Sequence, residues 1–284
     1  MTDQAYNPNN TCYRHPDRQS FVLCQRCGRT ICPECQTPAA VGVHCPECVR
    51  EQRAQFAANR RASGGPSGLT VARRRFAMLD QKGTVVLVAI SVLVWLFDEL
   101  SRGALTNLLA YNSLLLPVQP WRAVTVLFVH SGFLHILFNM WALWIFGRIL
   151  ENMLGTWRFV ALYFITGVFG TMLVTFLAPG TWVVGASGAI FGLFAAFFVL
   201  QRSLGQNAVQ LLVIMGLNLV VGFIPGTNIS WQAHVGGIIG GFLVGFVFAQ
   251  TRNVRQRSLQ IALLVGAAVV AVALTVVGYA VTVG

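Results

Sequence analysis

The sequence predicts an all-α polytopic membrane protein with a small cysteine-rich head, and three observations predict it. Of its 284 residues 55% are hydrophobic and only 10% are charged, against about a quarter charged in water-soluble domains. Seven apolar stretches lie near 84–99, 133–149, 158–177, 187–200, 207–223, 233–250 and 259–282. All seven cysteines fall instead between Cys12 and Cys48, in a polar segment. The expected organisation is a head over 1–55, a flexible basic linker over 56–82, a six-helix core over 83–252 and an additional seventh helix over 253–284.

In the head, ligand types recur in pairs at one spacing: Cys12/His15, Cys24/Cys27, Cys32/Cys35 and Cys45/Cys48. Each pair can present two donors to one tetrahedral zinc, and eight donors complete two closed sites. A disulfide framework would leave one of the seven cysteines unpaired, and it would need an oxidising compartment. The arrangement resembles a B-box-type zinc finger. That resemblance implies cross-braced ligation, first pair with third and second with fourth, although the spacing itself also admits sequential pairing. His44 is a spare donor once the eight are counted. So small a core cannot fold on apolar burial alone, so structural zinc supplies most of its stability. The head lacks C2H2 spacing and a recognition-helix pattern, which argues against nucleic acid and for a protein partner or a regulatory role.

The net charge of +11 would suit nucleic acid, but the basic residues cluster at the edges of apolar segments, where they serve topology and anionic lipid. The linker contains the glycine-rich break Ser63 to Gly68, then Arg73, Arg74, Arg75 and Lys82 before the first apolar run. If the segments alternate, these residues share one side with Arg148, Arg158, Arg202, Arg252, Arg255 and Arg257, leaving Arg102 and Arg122 on the other. This asymmetry predicts a cytoplasmic N-terminus and an external C-terminus in the plasma (inner) membrane. Met1 to Asn10 has no apolar core of the kind a signal peptide requires.

One serine stands among small residues, Gly185-Ala186-Ser187-Gly188, at the start of the fourth apolar stretch. Taken alone, this pattern is more often helix packing than chemistry. Depth changes the balance. Counted from the arginine ending each stretch, Ser187 lies roughly 22 Å, His135 roughly 20 Å and His234 roughly 27 Å into the membrane at 1.5 Å per residue. Ionisable groups at such depth normally face a polar cavity. Gly237 and Gly241 share the helical face of His234 and permit close approach to Gly188 and Gly192. A serine needs a base to become nucleophilic, and an imidazole at hydrogen-bond distance serves. His135 and Asn139, four residues apart, lie on one face and can donate to a developing oxyanion. No carboxylate sits at matching depth, so the expected arrangement is a Ser187–His234 dyad without a catalytic cofactor.

These residues, with Trp121-Arg122, His130 to Asn139, Glu151 with Gly155, and Ala233 to Gly237, recur in the order found in rhomboid intramembrane serine proteases, which residues 83–250 resemble. The resemblance implies a rhomboid-like six-helix bundle in which Ser187 is the nucleophile, His234 the base, and His135 and Asn139 assist the oxyanion. It also implies that Phe191 packs on the catalytic imidazole and that Trp121-Arg122 belongs to a loop in the outer leaflet. Expected substrates are membrane proteins whose transmembrane helices unwind easily. An inactive relative that binds transmembrane segments as a chaperone or adaptor is the alternative, although such relatives typically lose the serine or the histidine. A transporter or metal sensor would need midplane carboxylates or internal repeats, and the chain shows neither.

Overall fold

The structure, a computed structural model, describes residues 10–39, 41–62, 81–224 and 229–283. The chain separates into two compact units, Met1–Met78 and Leu79–Gly284. The linker break at 63–68 and the Arg73–Arg75 cluster lie outside the described residues.

The first unit is built from two short antiparallel ladders and one helix. Strand β1 (Thr11–Cys12) pairs with β2 (His15–Gln19), and β3 (Thr37–Pro38) pairs with β4 (Val43–His44). Helix α1 (Pro46–Ala62) follows. Its core consists of Ile31 and six of the seven cysteines; Cys27 alone among the cysteines is exposed. A core of thiols buries little apolar area, and metal binding in so small a domain would supply folding free energy.

The second unit is helical: α2 (Lys82–Leu100), two short loop helices α3 (Ala104–Leu109) and α4 (Arg122–Thr125), and then α5 (Phe133–Leu154). It continues through α6 (Thr156–Leu177), α7 (Ser187–Ser203), α8 (Val209–Val221), α9 (Trp231–Gln250) and α10 (Arg257–Thr282). Each of the seven expected apolar stretches is a helix. Five are long and apolar enough to cross a membrane, while α7 and α8 are shorter. The chain is therefore a multi-pass membrane protein, with α10 an addition to six core helices. Helix α5 widens through a π turn at Leu143–Gly147.

Helix α9 packs chiefly against α7 and α6, and α10 against α6. Glycine makes the α7–α9 approach possible. A Cβ on Gly237 would fall 1.9 Å from the Gly188 carbonyl oxygen, and one on Gly241 2.2 Å from that of Gly192. Backbone atoms cannot swing aside as a side-chain tip can, so any substituent must push the helices apart. Gly241→Ala is expected to cost about 3 kcal/mol, the upper end of overpacking penalties. The check is the thermal midpoint in detergent. Gly216→Ala on α8, where an added Cβ meets nothing within 4 Å, serves as the control and should not lower it.

Two buried charges fix the ends of the bundle. Glu151 is 2% exposed and accepts from the N–H groups of Gly83 and Thr84 (both 2.8 Å) and from the hydroxyls of Thr84 (2.8 Å) and Thr156 (2.7 Å). It thus satisfies the unpaired donors at the positive end of α2 and ties α2 to α5 and α6. Arg122 donates to the carbonyls of Ala110 and Asn107 (both 2.6 Å) and to Gln119, holding the α3 loop in place. Tyr111 then pairs with Val183 through both backbone bonds (3.0 and 2.9 Å), and its hydroxyl meets that of Thr175 at 2.6 Å. The Gly185 N–H donates to the Val126 carbonyl at 3.1 Å. The loop between α2 and α5 therefore clamps the extended segment that delivers Ser187.

Candidate active site

Ser187 is the first residue of α7, and its hydroxyl lies 2.8 Å from Nε2 of His234, three residues into α9. The glycine contacts above bring the two helices close enough for this bond. Helix position also leaves the Ser187 N–H among the donors that α7 itself cannot satisfy. His234 is 4% exposed, and its Nδ1 is buried without a hydrogen-bond partner among the described residues. No carboxylate orients the imidazole through that nitrogen. The ring is held instead by Phe191, one turn beyond Ser187, which stacks on it with centroids 4.1 Å apart and planes 18° off parallel.

Just before α5, the Ser131 N–H donates to Nδ1 of His135 at 3.3 Å, and the Ser131 hydroxyl lies 3.1 Å from the same atom. A nitrogen that accepts from N–H cannot carry the ring proton, so the proton resides on Nε2. That nitrogen points at the serine's own segment: a Cβ on Gly185 would sit 2.7 Å from His135 Nε2 and 3.8 Å from Ser187 Oγ. Gly185 has φ of 118°, a conformation that glycine adopts freely, and any side chain there would displace the imidazole. His135 is thus an N–H donor beside the serine. His130 packs against it edge-on at 5.1 Å between ring centroids.

Asn139 is placed differently from a free donor. Its amide donates to the His135 carbonyl at 2.8 Å, one turn back on its own helix, and its Oδ1 is buried without a partner. The amide carries two N–H groups, so one remains for a ligand. The structure brings Ser187, His234 and His135 together directly, and Asn139 joins them through the His135 backbone.

The eight head ligands divide as the B-box resemblance implies. Cys12, His15, Cys32 and Cys35 form one cluster and Cys24, Cys27, Cys45 and Cys48 the other, with ligand atoms within 4.8 Å of one another in each. Zinc–sulfur bonds near 2.3 Å at tetrahedral angles put sulfurs about 3.8 Å apart, and nitrogen about 3.6 Å from sulfur. Cys27 and Cys45 lie 3.7 Å apart, and His15 Nδ1 lies 3.3, 3.5 and 3.8 Å from Cys32, Cys35 and Cys12. Backbone N–H groups of Cys45 and Cys48 donate to the sulfurs of Cys24 and Cys45, as thiolate ligands require. Both clusters can hold zinc. His44 belongs to neither.

Sequence reasoning did not anticipate what Glu151 and Arg122 do. Both stand among the residues that carry the family resemblance, but their hydrogen-bond partners lie far away in the chain and are given only by the fold. Residues 117–251 match the rhomboid domain family. The chain is 34% identical to YdcA of Bacillus subtilis (strain 168), provisionally named a rhomboid protease, over 60% of this chain and 89% of that protein. It is 32% identical to rhomboid protease GluP of the same organism, over 60% of this chain and 36% of GluP. With RHOMBOID-like protein 7 of Arabidopsis thaliana the identity is 33%, over 56% of this chain and 52% of the relative. On its sequence matches and its helical architecture, the chain belongs to the rhomboid family.

Proposed function

We propose that the chain is an active intramembrane serine endopeptidase that cleaves transmembrane segments of membrane proteins. The observation that carries this reading is the 2.8 Å approach of Ser187 Oγ to His234 Nε2. His234 takes the hydroxyl proton as Oγ bonds to the scissile carbonyl carbon, then passes that proton to the departing amine as the C–N bond breaks. Water hydrolyses the resulting ester by the same route in reverse. Charge on the tetrahedral oxygen is met by the His135 Nε2–H, the Ser187 N–H and the second N–H of Asn139. No cofactor takes part, and the two zinc ions assigned to the head are structural.

Helix length supports a site below the membrane surface. Seventeen residues of α7 rise about 26 Å, short of a ~30 Å hydrocarbon core. The extended segment before Ser187 is tolerable at that depth because the protein surrounds it. The test is labelling with a serine-directed fluorophosphonate: the wild-type protein should label and Ser187→Ala should not. Failure of the folded wild-type protein to label would favour the non-cleaving reading, in which the bundle only binds transmembrane segments.

The arginine asymmetry supports a cytoplasmic N-terminus with the head and the Arg252–Arg257 loop inside. Reporter fusions should place residue 284 outside, across the membrane from the head. A C-terminus found inside would mean that α10 does not span.

A further inference from the structure

At the end of α7 remote from Ser187, a cavity of about 260 Å³ opens between α6, α7, α9 and the start of α10. Two guanidinium groups line it, Arg158 from α6 and Arg252 just after α9. Neither has an acidic partner within ion-pair distance among the described residues, where the three salt bridges all lie in the head. Like charges sharing a cavity repel, and a negative group between them would relieve that repulsion.

The cavity is also built rather than incidental. Arg158 Nε donates to Gln260 Oε1 at 2.5 Å and one terminal nitrogen donates to the Leu154 carbonyl at 3.2 Å. Gln260 is 2% exposed and donates in turn to the carbonyl and hydroxyl of Thr251 at 3.0 and 2.8 Å. Arg252 uses one terminal nitrogen on the Ser203 hydroxyl. Those bonds position both side chains, yet leave Arg158 its second terminal nitrogen and Arg252 two of its three nitrogens as donors. Gln260 comes from α10, so the seventh helix helps to shape the cavity. The remaining wall is apolar, with Leu204 and Phe248 beside the arginines.

We propose that this cavity binds the phosphate headgroup of an anionic phospholipid. Two preset guanidinium groups suit phosphate oxygens, and arginines at the end of transmembrane helices lie at headgroup level. The apolar wall distinguishes a lipid from a soluble phosphate, because it gives the glycerol and first acyl carbons a surface to cover.

The test uses the full chain in nanodiscs of phosphatidylcholine with a minor fraction of phosphatidylglycerol, followed by counting of retained lipid by native mass spectrometry. Wild-type protein should retain phosphatidylglycerol in preference to phosphatidylcholine. Arg158→Gln/Arg252→Gln should weaken that retention at least about tenfold, as loss of charge-assisted bonds implies. Arg255→Gln/Arg257→Gln removes equal charge from the same end of the bundle but outside the cavity, and should leave retention unchanged. Equal losses in both variants would mean diffuse attraction and would overturn the site, as would wild-type protein without a lipid preference. Binding of glycerol phosphate to protein in pure phosphatidylcholine, as tight as that of the lipid, would overturn the lipid assignment in favour of a soluble anion. Where the cavity double variant fails to fold, the exposed Arg252→Gln substitution alone carries the comparison, with fluorophosphonate labelling as the check on folding.

Discussion

Replacing Ser187 by alanine is expected to lower kcat on a transmembrane substrate by a factor on the order of 10⁶, the scale on which a nucleophile or its base fails when the two act as a unit. His234→Ala should do the same, and the double variant should be no worse than either. That non-additivity is the informative outcome. The hydroxyl has no other base, because the hydrogen bond it makes is to His234 Nε2. The imidazole likewise has no other reacting partner. Asn139→Ala should fall well short of this loss, by about 10²–10³ at most, since His135 Nε2–H and the Ser187 N–H remain. Half of Asn139's donor capacity is already spent on the His135 carbonyl, which argues for the lower part of that range. Cleavage by purified, folded Ser187→Ala protein at anything near the wild-type rate would remove Ser187 from the chemistry.

The ring stack makes a finer distinction. In a triad a carboxylate holds the base in its reactive orientation, whereas here Phe191 lies flat against His234 at 4.1 Å. A stacked ring offers a charged imidazole only cation–π attraction, about 0.5–2 kcal/mol, less than a hydrogen-bonded carboxylate gives. In the proposed reaction the imidazolium would lack a carboxylate behind it, and more of the load would fall on the donors around the oxyanion.

The sequence carried much of this arrangement because bilayers impose simple rules. An apolar run of sufficient length must be helical, since no water is available to satisfy its backbone, so all seven helices were legible. Arginines that end helices set a common origin from which Ser187, His135 and His234 could be compared in depth. Glycines at Gly237 and Gly241 forecast a close crossing, because four-residue spacing puts both on one face. What escaped was whatever depends on a partner distant in sequence. Glu151 read as an interfacial charge, and only the fold puts the start of α2 against it. Gln260 carries no motif, and only the fold turns it toward Arg158. The i, i+4 spacing that aligns Asn139 with His135 also lets the amide reach the carbonyl one turn back, an alternative that spacing cannot rank.

Removing zinc should unfold the head and leave the bundle standing. Binding of structural zinc supplies about 10–16 kcal/mol in small finger domains, far more than a core of Ile31 and six buried cysteines could contribute by itself. Metal analysis of the full chain is expected to find two zinc ions, and a strong chelator should make the 10–62 region protease-sensitive. The sharper experiment exploits how the ligands divide. Cys12 and Cys35 lie in one cluster with His15 and Cys32, so Cys12→Ser/Cys35→Ser should destroy one site and spare the other, leaving about one zinc per chain. Sequential pairing would put these two cysteines in different sites, and the same double variant would then lose both ions. Catalysis should be indifferent throughout, because Ser187, His234, His135 and Asn139 all belong to helices after Lys82. A chain starting near Val71 should therefore cleave a model substrate in detergent as the full chain does. Loss of cleavage in a shortened protein that still inserts and still labels with fluorophosphonate would instead assign the head a part in substrate recognition.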